Sequence, residues 1–165
     1  MSKPLLIGIT GGIGSGKSTI SRFFEVLGVP VYNSDDRGKY LMVNDEQLMN
    51  QIKSTFGGQS YFDDGGLNRA YLASEVFSNE EKLKTLNSYV HPAVGRDFEK
   101  WVEGNTHEPY VLKEAALLFE TGIYKQLDKT ICVMASKSLR MERVFLRDEQ
   151  RSQEEIENII ERQIS

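Results

Sequence analysis

Residues 5–19, Leu5-Leu6-Ile7-Gly8-Ile9-Thr10-Gly11-Gly12-Ile13-Gly14-Ser15-Gly16-Lys17-Ser18-Thr19, pass from an apolar run through a glycine-rich turn into Lys-Ser-Thr and a helical pattern. Within them Gly11-x-x-x-x-Gly16-Lys17-Ser18 has the Walker A spacing. This motif constrains the fold more than any other stretch, because it works only between a strand and the helix that follows it. Glycines at 11, 12, 14 and 16 open backbone conformations closed to residues with a Cβ, so that successive N–H groups can turn inward around an anion. The following helix aims its positive end at the same point. Lys17 adds a mobile charge for the β- and γ-phosphates, and the Ser18 hydroxyl suits Mg²⁺. The stretch predicts a bound nucleoside triphosphate on an α/β sheet protein; it does not name the acceptor.

The remaining chain has room for one core. With 165 residues, 39% of them hydrophobic, a single domain carrying an inserted subdomain is the expectation. A net charge of −4 argues against a global field for nucleic acid or an anionic membrane, so anion binding must be local. No apolar run approaches the length of a membrane span. The single Cys132 excludes an intrachain disulfide; lying in Ile131-Cys132-Val133-Met134, it reads as a buried core thiol in a reducing compartment. A soluble cytoplasmic protein, monomeric or weakly homo-oligomeric, is expected.

After the loop, Ile20, Phe23, Phe24 and Leu27 recur at helical spacing and Gly28 stops the helix. Val29-Pro30-Val31-Tyr32 reads as a second strand, and Asn33-Ser34-Asp35-Asp36 lies just beyond its carboxyl end, where open α/β sheets place ligand chemistry. Asp35 and Asp36 fit equally well as the cap and first turn of a helix over 37–42, and the two roles are compatible. From Asn44 to Glu103 the pattern is helical: a capping box at Asn44-Asp45-Glu46-Gln47, a stop at Phe56-Gly57-Gly58, and a turn at Asp63-Asp64-Gly65-Gly66. A helix to Phe77 follows, then one capped by Asn79. His91-Pro92 is expected to break that helix before another carrying Val94, Phe98 and Trp101. Strands return at Tyr110-Val111-Leu112 and over 129–134. A basic helix over 138–146, a charged break at Asp148-Glu149-Gln150-Arg151, and a helix opened by a Ser152–Glu155 capping box complete the chain to Ser165.

A GTPase would need Asn-Lys-x-Asp after a late strand, and the sequence has none. Asp63-x-x-Gly66 imitates a switch motif but reads as a turn. A motor ATPase would show four apolar residues ending in Asp; neither late strand ends so, which leaves Mg²⁺ to Ser18, phosphate oxygens, water and Asp35. Small size, a helical insert and late arginines fit a small-molecule kinase, in which the protein positions the acceptor and neutralises charge.

The ordered set Gly8-x-Thr10-Gly11-Gly12-Ile13-Gly14-Ser15-Gly16-Lys17-Ser18, Val29-Pro30-Val31-Tyr32-Asn33-Ser34-Asp35, Leu67-Asn68-Arg69, His91-Pro92, Leu117-Leu118-Phe119-Glu120 and Arg143-x-x-x-Arg147-Asp148 resembles the dephospho-CoA kinase family. The resemblance implies a transferase that phosphorylates the ribose 3′-hydroxyl of dephospho-CoA from ATP with Mg²⁺, the last step of coenzyme A synthesis. It also implies a three-layer P-loop kinase fold with a mostly parallel sheet. The core would be residues 1–34 and 108–136, the helical CoA-binding insert 35–107, and the lid helices 137–165. Gly12, Ile13, Gly14, Ser15, Gly16, Lys17, Ser18, Thr19 and Arg143 would hold ATP, with Ser18 on the metal. Asp35, matching the second acid of the family's Asp-Ala-Asp, would be the general base, and Lys17 and Arg147 would balance charge in transfer. Asp35, Arg69, His91 and Glu120 would face the acceptor; a cap or core contact is the alternative for Arg69 and His91, and a merely helix-orienting role for Glu120. Asn33 replaces the family's first acid and Ser34 its alanine. The family continues past the lid with a strand, a turn at the nucleotide pocket and a helix; the sequence stops at Ser165 before them, which predicts an incomplete adenine wall. A shikimate- or nucleoside-monophosphate-type kinase and a nucleotide-binding module without turnover are the alternatives.

Overall fold

A computed structural model of the chain describes residues 3–77, 79–148 and 152–163. They divide into two compact units, residues 1–33 with 102–165, and residues 34–101.

The first unit is built on a parallel sheet. β1 (Leu5–Thr10), β2 (Val31–Asn33), β3 (Tyr110–Glu114) and β4 (Lys129–Cys132) lie in the order β2-β3-β1-β4. All three pairings are parallel, as the alternation of apolar strands and helices predicts. The glycine loop joins β1 to α1 (Lys17–Val26), which packs on β1, β2 and β3. Leu118 and Leu127 cover the other face above Gly8, where a Cβ would come within 2.6–2.7 Å of both. Ile9, Val111, Leu112 and Leu118 are fully buried between these layers.

β3 runs two residues past the expected Tyr110–Leu112, taking in Lys113 and Glu114. Pairing on both edges holds these charged residues in the strand. Lys113, 2% exposed, faces its register partner Tyr32, with Nζ 5.7 Å from the ring centroid, so an aromatic face offsets part of its desolvation. Cys132 is corrected: its thiol is exposed, because β4 is flanked only by β1 among the described strands and presents its outer residues to solvent.

α6 (Lys137–Arg147) and α7 (Gln153–Arg162) form a hairpin closed by Val144, Ile156 and Ile160, with Met141 and the loop residue Ile13 packed against them. Ser136 caps α6, and the Ser152–Glu155 box opens α7 as expected. Of the charged break, Glu149 to Arg151 lie outside the described residues, as do Ile164 and Ser165.

The second unit is helical: α2 (Ser34–Asn44), α3 (Glu46–Phe56), α4 (Arg69–Phe77) and α5 (Glu80–Glu103), the last running on into the first unit. α2 begins at once after β2, so Asp35 and Asp36 occupy its first turn, where acidic side chains favour the helix dipole. The expected break at His91-Pro92 does not occur, for α5 is continuous through Pro92. Ala93, Val94 and Phe98 beyond the proline are buried, and Arg37 grips Asp97 through two bonds of 2.8 and 2.6 Å. These contacts hold the segment beyond the proline in the helix against the roughly 3 kcal/mol that an interior proline costs through its missing N–H and its ring clash. Asn79 caps α5; the capping box expected at Asn44–Gln47 does not form, because Asn44 ends α2 and Asp45 caps α3 instead, accepting from the Leu48 N–H at 2.9 Å. Asp45→Ala should therefore lower stability by about 1 kcal/mol in a urea titration, with the denaturant slope unchanged.

Candidate active site

The loop turns where its glycines permit. Gly14 (φ +75°) and Gly16 (φ +103°) sit in the left-handed region, and Gly11 (φ +149°) near its edge. Gly12 is corrected: its φ is not positive, so what glycine supplies there is room. A Cβ at Gly12 would lie 2.0 Å from Nη2 of Arg140. A Cβ at Gly11 would lie 2.3 Å from the Val133 carbonyl, so the loop is pressed against both the end of β4 and α6. Lys17 folds back over the loop, donating to the carbonyls of Gly11 (2.7 Å) and Gly12 (3.2 Å). The Ser15 hydroxyl is buried with no hydrogen-bond partner among the described residues, a vacant polar atom in a loop made for anions.

The main residue missed in the sequence is Glu114. It ends β3 at the carboxyl edge of the sheet, directly opposite Asn33 and Ile9 in register. Its carboxylate is 6% exposed; Oε1 accepts from the Ser18 hydroxyl at 2.9 Å, and Oε2 from Asn33 Nδ2 at 3.5 Å. A motor-type strand has four apolar residues followed by Asp, and Lys113 breaks that pattern. The usable signal was a carboxylate two residues after the buried pair Val111-Leu112, at the edge where β1 delivers the loop. Asn33, standing where the family has an acid, acts as a donor to this carboxylate. A hard cation such as Mg²⁺ takes oxygen ligands, commonly one or two carboxylates plus substrate phosphates and water. Ser18 Oγ with the buried Glu114 carboxylate fits that donor set, although no group of three His, Cys, Asp or Glu able to hold a metal occurs among the described residues.

Asp35 lies exposed in the first turn of α2, two residues after β2, and Asp36 beside it bonds Lys39 at 2.9 Å. Arg69, exposed, begins α4 in the same helical unit. His91 lies in α5; its surface reaches solvent, and partial desolvation holds the imidazole below its ordinary pKa, which favours the neutral form. Glu120 lines a cavity of about 200 Å³ together with Thr10, Gly11, Gly12, Phe119 and Cys132. On the other side of the loop a second cavity is bounded by Gly16, Thr19, Ile20, Leu139 and Arg143. Arg143 donates to the carbonyls of Gly14 (3.4 Å) and Ser15 (3.2 Å). Arg147 makes a two-bond pair with Asp148 (3.1 and 3.0 Å), which raises its already high pKa.

A parallel sheet that delivers a glycine loop, a lysine and a serine to the start of a helix, with a buried acid on the adjacent strand, defines a P-loop nucleotide-binding fold. The sequence model of the family described as dephospho-CoA kinase matches residues 5–165. A dephospho-CoA kinase of Chlorobium chlorochromatii is 39% identical over 146 residues, a match covering 85% of this chain and 69% of that protein. The chain belongs to the dephospho-CoA kinase family. Its backbone superposes on a crystal structure of a Thermus thermophilus protein with a TM-score of 0.82 at 35% identity, covering 99% of this chain and 82% of the other. The fold is shared with a dephospho-CoA kinase from Campylobacter jejuni (TM-score 0.67, 23% identity, 94% and 78% covered).

Proposed function

We propose that this protein transfers the γ-phosphoryl group of ATP to the ribose 3′-hydroxyl of dephospho-CoA, giving coenzyme A and ADP. The observation that carries the reading is the loop with its Ser18–Glu114 pair, in a chain of this family. Residues 12–19 hold the triphosphate. Asp35 accepts the proton of the 3′-hydroxyl as its oxygen bonds to the γ-phosphorus and the bond to the β–γ bridging oxygen breaks. Lys17, Arg143 and Arg147 offset the charge that moves to the leaving oxygen; to do so Lys17 exchanges its loop carbonyls, and Arg147 its Asp148 partner, for phosphate oxygens. Arg69, neutral His91 and Glu120 contact the acceptor. Mg²⁺, when bound, would be held by Ser18 and Glu114 and would neutralise charge on the β- and γ-phosphates. An exposed free thiol is suited to a reducing compartment, and we read the enzyme as cytoplasmic and as monomeric or weakly self-associating.

Mass spectrometry of the products formed from ATP with dephospho-CoA, shikimate or nucleoside monophosphates tests this reading. Phosphorylated product from dephospho-CoA alone is expected; preference for either other acceptor overturns the substrate, and nucleotide binding without product from any acceptor overturns the enzymatic role. Glu114→Gln keeps an acceptor for Ser18 but removes the charge, and should raise the Mg²⁺ concentration needed for half-maximal activity about 10- to 100-fold. An unchanged Mg²⁺ dependence would remove Glu114 from the metal site.

A further inference from the structure

The α6–α7 hairpin holds the middle of the phosphate loop: Arg143 reaches the carbonyls of Gly14 and Ser15, and Arg140 and Gln163 converge on Ile13. Ile13 stands between Gly12 and Gly14, two of the least restricted positions in the chain. Its side chain packs against the Val144–Ile156–Ile160 cluster of the hairpin. Its N–H donates to Oε1 of Gln163 at 2.7 Å, and its carbonyl accepts from Nε of Arg140 at 2.9 Å. Nη2 of Arg140 donates to the same Gln163 oxygen at 3.1 Å, closing a ring of hydrogen bonds around the backbone of one loop residue. The glycines beside it are shaped to this arrangement. Gly12 leaves the space that Nη2 fills, and a Cβ at Gly14 would lie 2.4 Å from the Arg140 carbonyl.

We propose that Arg140 and Gln163 are positioning residues that hold the loop in its phosphate-receiving shape before nucleotide arrives. The proposal rests on the reading of residues 11–19 as the triphosphate site. Neither residue needs to touch the nucleotide. A loop with glycines on both sides of Ile13 loses conformational freedom when it closes around an anion, and the clamp has that ordering already in place. Freeing about one residue should weaken nucleotide binding roughly tenfold. The geometry also says which substitutes work. Gln163 serves through an oxygen that accepts two hydrogen bonds, so Glu can replace it and Met cannot. Arg140 serves through two N–H groups of one planar fork aimed at separate acceptors, which a lysine ammonium does not reproduce.

Titration with a fluorescent ATP analogue, with thermal melting measured alongside, tests the clamp. Arg140→Met and Gln163→Met should each raise the Kd about tenfold, and the double variant no further, because the ring breaks once. Gln163→Glu should stay within about threefold of the parent. Gly12→Ala breaks the ring from the loop side, since its Cβ displaces the guanidinium without altering the hairpin core; it should match Arg140→Met and not add to it. That variant keeps the test intact if a hairpin substitution fails to fold. Lys17→Ala is the control: if it weakens binding while Arg140→Met, Gln163→Met and Gly12→Ala do not, or if their effects multiply, the clamp is overturned and the phosphate site stands. If Lys17→Ala binds nucleotide like the parent, the phosphate-site reading falls and the clamp with it. A lowered melting temperature at unchanged Kd would reduce both residues to a structural role.

Discussion

Asp35→Asn should slow phosphoryl transfer to dephospho-CoA by roughly 10²- to 10⁴-fold, the usual cost of removing a general base, with nucleotide affinity close to that of the parent. Asn is nearly the same size and still accepts a hydrogen bond, so the acceptor hydroxyl can be oriented; what it loses is the capacity to take the proton. The position is suited to that division of labour. Asp35 is in the first turn of a helix that begins directly after β2, whose last residue, Asn33, bonds the Glu114 carboxylate. Asp35 follows the last residue of β2 by two positions in the chain, and helix α2 fixes its backbone. Neighbouring Asp36 pairs with Lys39 on the helix surface and provides the contrast: Asp36→Asn should change the rate by less than about twofold. Equal losses at 35 and 36 would point to helix stability, and full activity of Asp35→Asn would remove it from the base role. Single-turnover measurements at saturating ATP separate the chemical step from binding.

Lys17→Ala should affect both quantities. Hydrogen bonds to charged groups contribute about 1.5–3 kcal/mol, so the loss of the ammonium should raise the nucleotide Kd on the order of 10- to 100-fold. The rate at saturating nucleotide should fall by a further 10²- to 10³-fold, the scale seen when one group stabilising transition-state charge is removed. The ammonium now donates to the carbonyls of Gly11 and Gly12, and binding replaces those bonds with bonds to phosphate oxygens. Lys17→Arg should not rescue fully, because a planar guanidinium is wider than the ammonium held between two adjacent carbonyls. Calorimetric titration with a non-hydrolysable ATP analogue reads the affinity directly, and an unchanged Kd would contradict the loop's assignment.

The two proposed losses fall on residues that local sequence made visible, and the residues it hid share a cause. Lys17, Ser18 and the glycines stand at fixed spacing within one turn, so their relation is local. Glu114 is ninety-six residues from the serine it bonds. It was hidden because Lys113 breaks the apolar run before it, a buried lysine that faces Tyr32 across the sheet. Arg140 is, by local sequence, one of several positive charges on a basic helix, whereas its guanidinium fills the space left by Gly12. Cys132 looked buried by its neighbours in sequence and is exposed by its place on the outer side of β4. Pro92 reads as a helix breaker by its local chemistry and is carried through by burial and an ion pair on the residues beyond it.

The sequence by itself determined the loop, the parallel sheet that the loop requires, the capped helices at Asn79 and Ser152, and the family. Each of these is set by spacing over a few residues or by an ordered set of short motifs. Only the tertiary structure decided what surrounds the loop: Glu114 on Ser18, and Arg140 and Gln163 on Ile13. These partners come from strands and helices distant along the chain. Register and packing bring them together, and hydrogen bonds of about 3 Å depend on where the backbones finally lie, which no pattern within one segment encodes.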